Sequence, residues 1–228
     1  MSGFRNTFLV TGTDTGVGKT WVSTGLLRAW VGAGLRVAAR KPAETGCESV
    51  GGRLQPADAA ALAAAAGGGE TLEAVCPYRF AEPLAPAVAA VRAGVRIDLD
   101  AVVDACRVRA REVDRLLVEG AGGLLVPLTG RATFADLARS LDAHLVVVIA
   151  ARLGAINHAM LTLEAARAGG LEVVALVVNH VSAETDLATS TLAETLADLG
   201  VAPRIVSVPH GIPPDAALAG LARDLAKT

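Results

Sequence analysis

The sequence predicts an α/β fold built on a mostly parallel β-sheet with helices on both faces. Three observations predict it. Short β-rich runs alternate with longer helical stretches from end to end, the order that produces right-handed βαβ crossovers. Those runs are continuously apolar rather than alternating, as suits strands covered on both faces. Glycines stand where helices should stop, at Gly32-Ala-Gly34, Gly169-Gly170 and Gly200.

The first apolar run, Thr7–Gly12, gives a strand, and an amphipathic helix over Lys19–Gly32 follows it. Leu35–Arg40 reads as the second strand. From Ala43 to Ala93 the pattern is less regular, with Gly51-Gly52, Gly67-Gly68-Gly69 and several prolines around an Ala-rich helix at Ala57–Ala66. This region is expected to form long excursions from the sheet, where substrate contacts often lie. Regular alternation then resumes with helix Leu99–Val113 and strand Arg115–Glu119, helix Phe134–Leu141 and strand His144–Ala151, and helix Ile156–Ala168 and strand Leu171–Asn179. Helix Glu184–Leu199, strand Arg204–Pro209 and helix Asp215–Ala226 complete the series. No linker divides the chain, so one domain over residues 1–228 is expected.

Of the 228 residues, 52% are hydrophobic, 19% charged and 3% aromatic, with a net charge of −2. That apolar content excludes intrinsic disorder. Apolar runs such as Leu145–Ala151 fall far short of the roughly 20 residues of a membrane span. A slightly acidic chain offers no footprint for nucleic acid. Met1 to Thr7 shows no export signal, and Cys47, Cys76 and Cys106 lack CxxC pairing. A reducing cytosol and small core cysteines are the expectation.

The strongest functional signal is Gly12-Thr-Asp-Thr-Gly-Val-Gly-Lys-Thr20, directly after a strand and opening a helix. In that context backbone N–H groups and the helix N-terminus face phosphate oxygens, Lys19 adds a point charge, and the Thr20 hydroxyl can ligate Mg²⁺. Thr13 stands where the usual Gly-x4-Gly-Lys-Ser/Thr pattern has glycine, and Gly12 comes one residue earlier. The expected class is therefore a P-loop NTPase-like fold that binds a nucleoside triphosphate.

Other strand ends add polar groups where ligands gather in open α/β sheets. Lys41-Pro-Ala-Glu-Thr-Gly46 follows the second strand. Pro42 forces Lys41 into an extended conformation aimed out of the sheet top. There it is either a surface lysine capping a strand or a second ammonium facing a transferring phosphoryl group. Glu119 ends the third strand before Gly120-Ala-Gly-Gly123, which suits an Mg²⁺ contact or a plain glycine turn. Asp58, two residues after Pro56, lies in a first helical turn and favours the helix dipole whatever else it does. Asn179 ends a strand either as a turn former or as an amide for a purine edge. His144, His158, His180 and His210 share no metal-binding spacing, so none is assigned as a ligand.

Taken together, the Gly12–Thr20 loop, Lys41-Pro42 with Thr45-Gly46, Pro77-Tyr-Arg-Phe-Ala-Glu-Pro83, Glu119-Gly-Ala-Gly-Gly123 and Leu153-Gly-Ala-Ile-Asn-His-Ala-Met-Leu161 resemble dethiobiotin synthetase. The likeness runs in order over most of the chain and weakens after about residue 182. It implies an ATP-dependent cyclo-ligase of biotin biosynthesis, a cytoplasmic homodimer that forms dethiobiotin from 7,8-diaminononanoate, CO₂ and MgATP. By that resemblance Gly16, Val17, Gly18, Lys19 and Thr20 hold the triphosphate, and Thr20, Asp58 and Glu119 surround Mg²⁺. Gly120, Ala121 and Gly122 approach the nucleotide. Lys19 and Lys41 flank the γ-phosphate and the substrate carbamate as the catalytic pair, and Thr15 and Thr45 bond that carbamate. Asn179, His180, Pro209, His210 and Gly211 line the adenine pocket. Gly154, Ala155, Ile156 and Asn157, at a helix start, bind the substrate carboxylate across the dimer interface.

Rival readings on the same scaffold fit less well. A cobyrinic-acid-type amidoligase needs a glutamine-hydrolysing domain for which this chain has no room. A cell-positioning switch ATPase carries a lysine five residues before the loop lysine, where Asp14 stands. A small GTPase needs Asn-Lys-x-Asp, and Asn179-His-Val-Ser182 takes its place.

Overall fold

The computed structural model describes residues 6–184 and 186–227. Met1 to Arg5, part of the stretch read for an export signal, and Thr185, inside the helix expected over 184–199, lie outside the described residues. The first elements are β1 (Thr7–Gly12), α1 (Lys19–Gly32), β2 (Val37–Arg40), β3 (Ala43–Thr45), β4 (Glu48–Val50), β5 (Arg53–Gln55) and α2 (Ala57–Ala65). They are followed by α3 (Leu72–Val75), β6 (Tyr78–Phe80), α4 (Pro86–Arg92), α5 (Leu99–Ala110), β7 (Arg115–Gly123) and α6 (Phe134–Ser140). The remainder are β8 (His144–Ala150), α7 (Ala155–Ala168), β9 (Val173–Asn179), α8 (Leu187–Ser190), α9 (Leu192–Asp198), β10 (Ile205–Val208) and α10 (Pro214–Leu225).

Six strands form one sheet in the order β10-β9-β8-β1-β7-β2, and every neighbouring pair is parallel. The continuous apolar character of these strands has the anticipated cause, since both faces are covered. Along β1, Leu9 packs among side chains of α4, α5 and α6, while Phe8 and Val10 pack with α1 and α10. A third cluster joins β8 and β9 to α7 and α9. All three cysteines are free and buried. Among the described residues no helix is long and apolar enough to cross a membrane.

Helix α1, which carries the phosphate loop at its start, is held from behind by α10. A Cβ placed on Gly25 would lie 2.7 Å from Pro214 Cβ and 2.8 Å from its carbonyl carbon, so only glycine permits this approach. Farther along, the Trp30 indole N–H donates to the Ala222 carbonyl at 3.0 Å. That bond satisfies the polar end of a fully buried ring.

The region 43–93 is more ordered than the sequence reading allowed. β3 pairs with β6 in parallel and β4 with β5 in antiparallel fashion, and α3 and α4 complete the excursion. Each of these strands has three residues, too few for a period to emerge. The helix expected over 184–199 is instead α8 and α9, which meet at Thr191. There the hydroxyls of Ser190 and Thr191 both donate back to the Leu187 carbonyl, competing with helix propagation. Strand β7 runs on through Gly123 rather than ending at Glu119, which places Glu119 inside the sheet.

Candidate active site at the carboxyl ends of the strands

Between β1 and α1 the backbone wraps a tight loop. Thr13 N–H is anchored to the Val148 carbonyl of β8 at 3.0 Å. A Cβ on Gly12 would meet Val17 Cγ2 at 2.7 Å, which accounts for the early glycine. Gly16 and Gly18 adopt φ of 75° and 92°, a left-handed conformation that side chains disfavour. The Asn179 amide, at the end of β9, donates to the Val17 carbonyl at 3.0 Å and is buried. Asn179 is thus committed on its Nδ2 side to bracing the loop, a task the sequence did not announce.

Lys41 is 3% exposed, which sets aside its reading as a surface lysine. Lys41 directly follows β2 and precedes Pro42, which has no N–H, and the Lys41 N–H bonds the Val75 carbonyl at 2.8 Å. Its ammonium lies 2.6 Å from Glu119 Oε1 and 2.9 Å from Asp58 Oδ2, and also donates to the Gly120 carbonyl at 3.3 Å. The Thr20 hydroxyl donates to the same Glu119 Oε1 at 2.9 Å. Thr20 from α1, Lys41 just after β2, Asp58 from α2 and Glu119 from β7 therefore converge.

Electrostatics at this cluster are strongly perturbed. Burial, reinforced by the Lys41 charge, pushes the Lys19 pKa down to about 8, while its Nζ donates to the Asp14 carbonyl at 3.0 Å. Burial acts to lower the Lys41 pKa too, but the carboxylates of Glu119 and Asp58 reverse that and hold it above the usual lysine range. For Asp58, burial works upward and is outweighed by the Lys41 ammonium, so its pKa is lowered. Perturbed groups gathered in a cleft mark a functional site. The second oxygen of Glu119, Oε2, is buried without a partner. Among the described residues no group of three or more His, Cys, Asp or Glu could hold a metal. One hydroxyl with two carboxylates suits instead a hard cation that shares its coordination with phosphates and water.

The cluster opens onto a cleft of about 500 Å³, in the size range of small-molecule sites. Thr15, Gly16, Gly18, Lys19 and Thr20 line one wall. Lys41, Thr45 and Asp58 line another, and Ala121 and Gly122 a third. Val17 and Glu119 are buried behind these walls. The other expected residues are elsewhere. His180 contacts Ser207 Oγ at 2.9 Å, and Pro209, His210 and Gly211 are exposed beyond β10. Gly154, Ile156 and Asn157 are exposed at the start of α7, while Ala155 is buried there. Arg152, just before them, pairs with Asp14 of the phosphate loop at 2.8 Å.

Sequence reasoning missed Glu44 and the segment Pro83–Pro86, which complete the cleft. Glu44 is buried and accepts the N–H groups of Asp58 and Ala59, each at 2.9 Å. Burial raises its pKa. One signal pointed to it: Pro56, at the N-cap of α2, has no side chain able to cap, so an acceptor had to come from elsewhere.

A glycine-rich loop between the first strand and its helix, on a parallel sheet, with paired ammonium groups and an acidic strand residue, defines a P-loop nucleotide-using protein. Solved structures agree at the level of fold. The MinD cell division protein of Aquifex aeolicus superposes with TM-score 0.61 at 14% identity, covering 98% of this chain and 97% of that one. A ParA family ATPase from Chlorobium tepidum gives TM-score 0.57 at 11% identity, covering 96% and 99%. The family model described as an AAA domain matches residues 6–213. An ATP-dependent dethiobiotin synthetase of Anaeromyxobacter sp. (strain Fw109-5) is 50% identical over 177 residues, 78% of this chain and 77% of that protein. One from Pseudomonas aeruginosa (strain UCBPP-PA14) is 45% identical over 193 residues, 84% and 83% of the two chains. This chain belongs to the ATP-dependent dethiobiotin synthetase family.

Proposed function

We propose that this chain uses ATP to close the ureido ring of dethiobiotin from 7,8-diaminononanoate and CO₂. The observation that carries the reading is the buried pair Lys19 and Lys41, electrostatically coupled and lining one cleft with the phosphate loop. One substrate amine adds to CO₂ and loses a proton, giving a carbamate. A carbamate oxygen attacks the γ-phosphorus as the bond to ADP breaks, leaving a mixed carbamic–phosphoric anhydride. The second amine attacks the activated carbon, phosphate leaves with the bonding pair, and the ring closes with loss of a proton.

Each step gathers negative charge, and phosphoryl transfer needs positioning and charge neutralisation more than covalent help. Lys19 and Lys41, both buried, supply two positive charges at fixed places in the cleft, where they act more strongly than in solvent. Thr15 and Thr45 line the same cleft and would bond the carbamate oxygens. Mg²⁺ would be held by Thr20, Asp58 and Glu119, where the unpartnered Glu119 oxygen supports it, and would supply further neutralisation of the phosphates. With its Nδ2 engaged on Val17, Asn179 would present an acceptor, the partner for an adenine amino group. The start of α7 in a second copy of the chain would bind the substrate carboxylate, since helix N-termini favour anions. Free buried cysteines suit a cytosolic setting.

An assay of ADP and cyclic urea with and without diaminononanoate and bicarbonate tests the reading. Product and ADP are expected only when both are present. ATP hydrolysis independent of both, with no urea formed, would overturn it in favour of a switch ATPase.

A further inference from the structure

We propose that Glu44 is the positioning residue for Asp58: its carboxylate caps α2 from outside the helix and so fixes Asp58 against Lys41. This rests on the site reading above, in which Asp58 belongs to the nucleotide–metal cluster.

Three observations converge on Glu44. The N-cap of α2 is Pro56, which makes no side-chain capping bond, although the first N–H groups of a helix require partners. Glu44 supplies both at once, Oε1 to Asp58 N–H and Oε2 to Ala59 N–H, at 2.9 Å each. Ala59 is fully buried, so water cannot take over that role. Finally, the direction of Glu44 is set from outside α2. β3 is locked to β6 by the pairs Ala43↔Tyr78, Glu44↔Arg79 and Thr45↔Phe80, and Ala43 is sunk in the core.

The consequence is geometric. Asp58 is 42% exposed at its side chain, and its carboxylate is held from the side only by the Lys41 ammonium and the Thr20 hydroxyl. What restrains it is the backbone from which it hangs, and that backbone is pinned at residues 58 and 59 by one side chain. Charge-assisted bonds to helix N–H groups are among the stronger ones. Glu44 touches neither phosphate nor metal in this account and acts through Asp58.

The test uses Glu44→Ala and Glu44→Gln in the full-length protein, the latter keeping one acceptor oxygen. Two readouts apart from turnover are needed. Amide hydrogen exchange at Asp58 and Ala59 should quicken about tenfold in Glu44→Ala and less in Glu44→Gln, as loss of one bond of ordinary strength allows. ATP affinity should be measured by calorimetry with Mg²⁺ and with chelator. The gain in affinity on adding Mg²⁺ should shrink about tenfold in Glu44→Ala and about threefold in Glu44→Gln, with metal-free affinity unchanged within about twofold.

Unchanged exchange at both amides overturns the cap. Faster exchange with an unaltered Mg²⁺ gain leaves a cap without a positioning role and overturns the proposal. If Glu44→Ala fails to fold, the same two readouts on Glu44→Gln decide. A parent protein showing no Mg²⁺ gain overturns the site reading itself, which the exchange data, independent of metal, would keep separate from the cap.

Discussion

Replacing Lys41 by methionine removes a cation from the centre of the site while keeping most of its volume. The two carboxylates left behind differ sharply. Asp58 is partly exposed and can turn into water, so its lost pairing costs about 0–1 kcal/mol. Glu119 is 0% exposed and keeps only the Thr20 hydroxyl, so the penalty concentrates there. Breaking a buried pair by removing one partner costs about 3–5 kcal/mol, a large share of the roughly 5–15 kcal/mol that holds a typical domain folded. Lys41→Met should therefore lower the unfolding free energy in urea by about 3–5 kcal/mol and turnover by about two orders of magnitude or more. Adding Glu119→Gln removes the stranded charge. The double variant should regain more than half of the lost stability and none of the turnover. A single variant within about 1 kcal/mol of the parent, or a double variant no more stable than the single one, would refute the claim that these charges are held together against a desolvation penalty.

Lys19, with its pKa lowered to about 8, is half protonated in the free protein near that pH, and a bound triphosphate should restore its proton. Calorimetric titration of ATP at pH 8 in buffers of different ionisation heat should show uptake of about half a proton, and no uptake there would contradict the assigned burial. For stability the sign is the reverse of a salt-bridged lysine: between about pH 8 and 10.5 the unfolded chain binds more protons, so Lys19 favours folding increasingly as pH rises. Gly18→Ala would place a Cβ 2.1 Å from Asn179 Nδ2 at φ 92°. It should abolish ATP binding measured by calorimetry while circular dichroism of the sheet persists, and retained affinity would show that the loop can open without loss. Size-exclusion chromatography paired with turnover should find a dimer at working concentration, and a fully active monomer would remove the shared carboxylate site.

Much of the scaffold was legible because its elements are long and punctuated. β1 and α1 begin and end where the apolar run, the glycines and Lys19 place them. What escaped has a physical reason in each case. β3, β4, β5 and β6 are short and exist through pairing with distant partners, which no local pattern records. Glu119 reads as a strand end because glycines follow it, yet a glycine can continue a strand when its neighbours hydrogen-bond it, and β7 does so. The convergence of Thr20, Asp58 and Glu119 was anticipated through the family likeness. That Lys41 would be sealed among them was not, since Pro42 fixes backbone direction and says nothing of side-chain depth. Glu44 itself carried no pattern, because a carboxylate that caps a remote helix has no spacing rule; only the capless Pro56 hinted that some acceptor was needed.

The contact between Gly25 and Pro214 has a consequence for how such chains can be recombined. The last helix of the chain rests directly on the backbone of the helix that launches from the phosphate loop. A terminal segment grafted from a relative would meet this surface before it met any ligand. A donor lacking a proline that fits the glycine notch, or an acceptor carbonyl for the Trp30 indole, would tilt the launching helix and misalign catalysis from the far side of the molecule. The tail is thus tethered to the phosphate-loop helix, and chimeras should exchange both helices together.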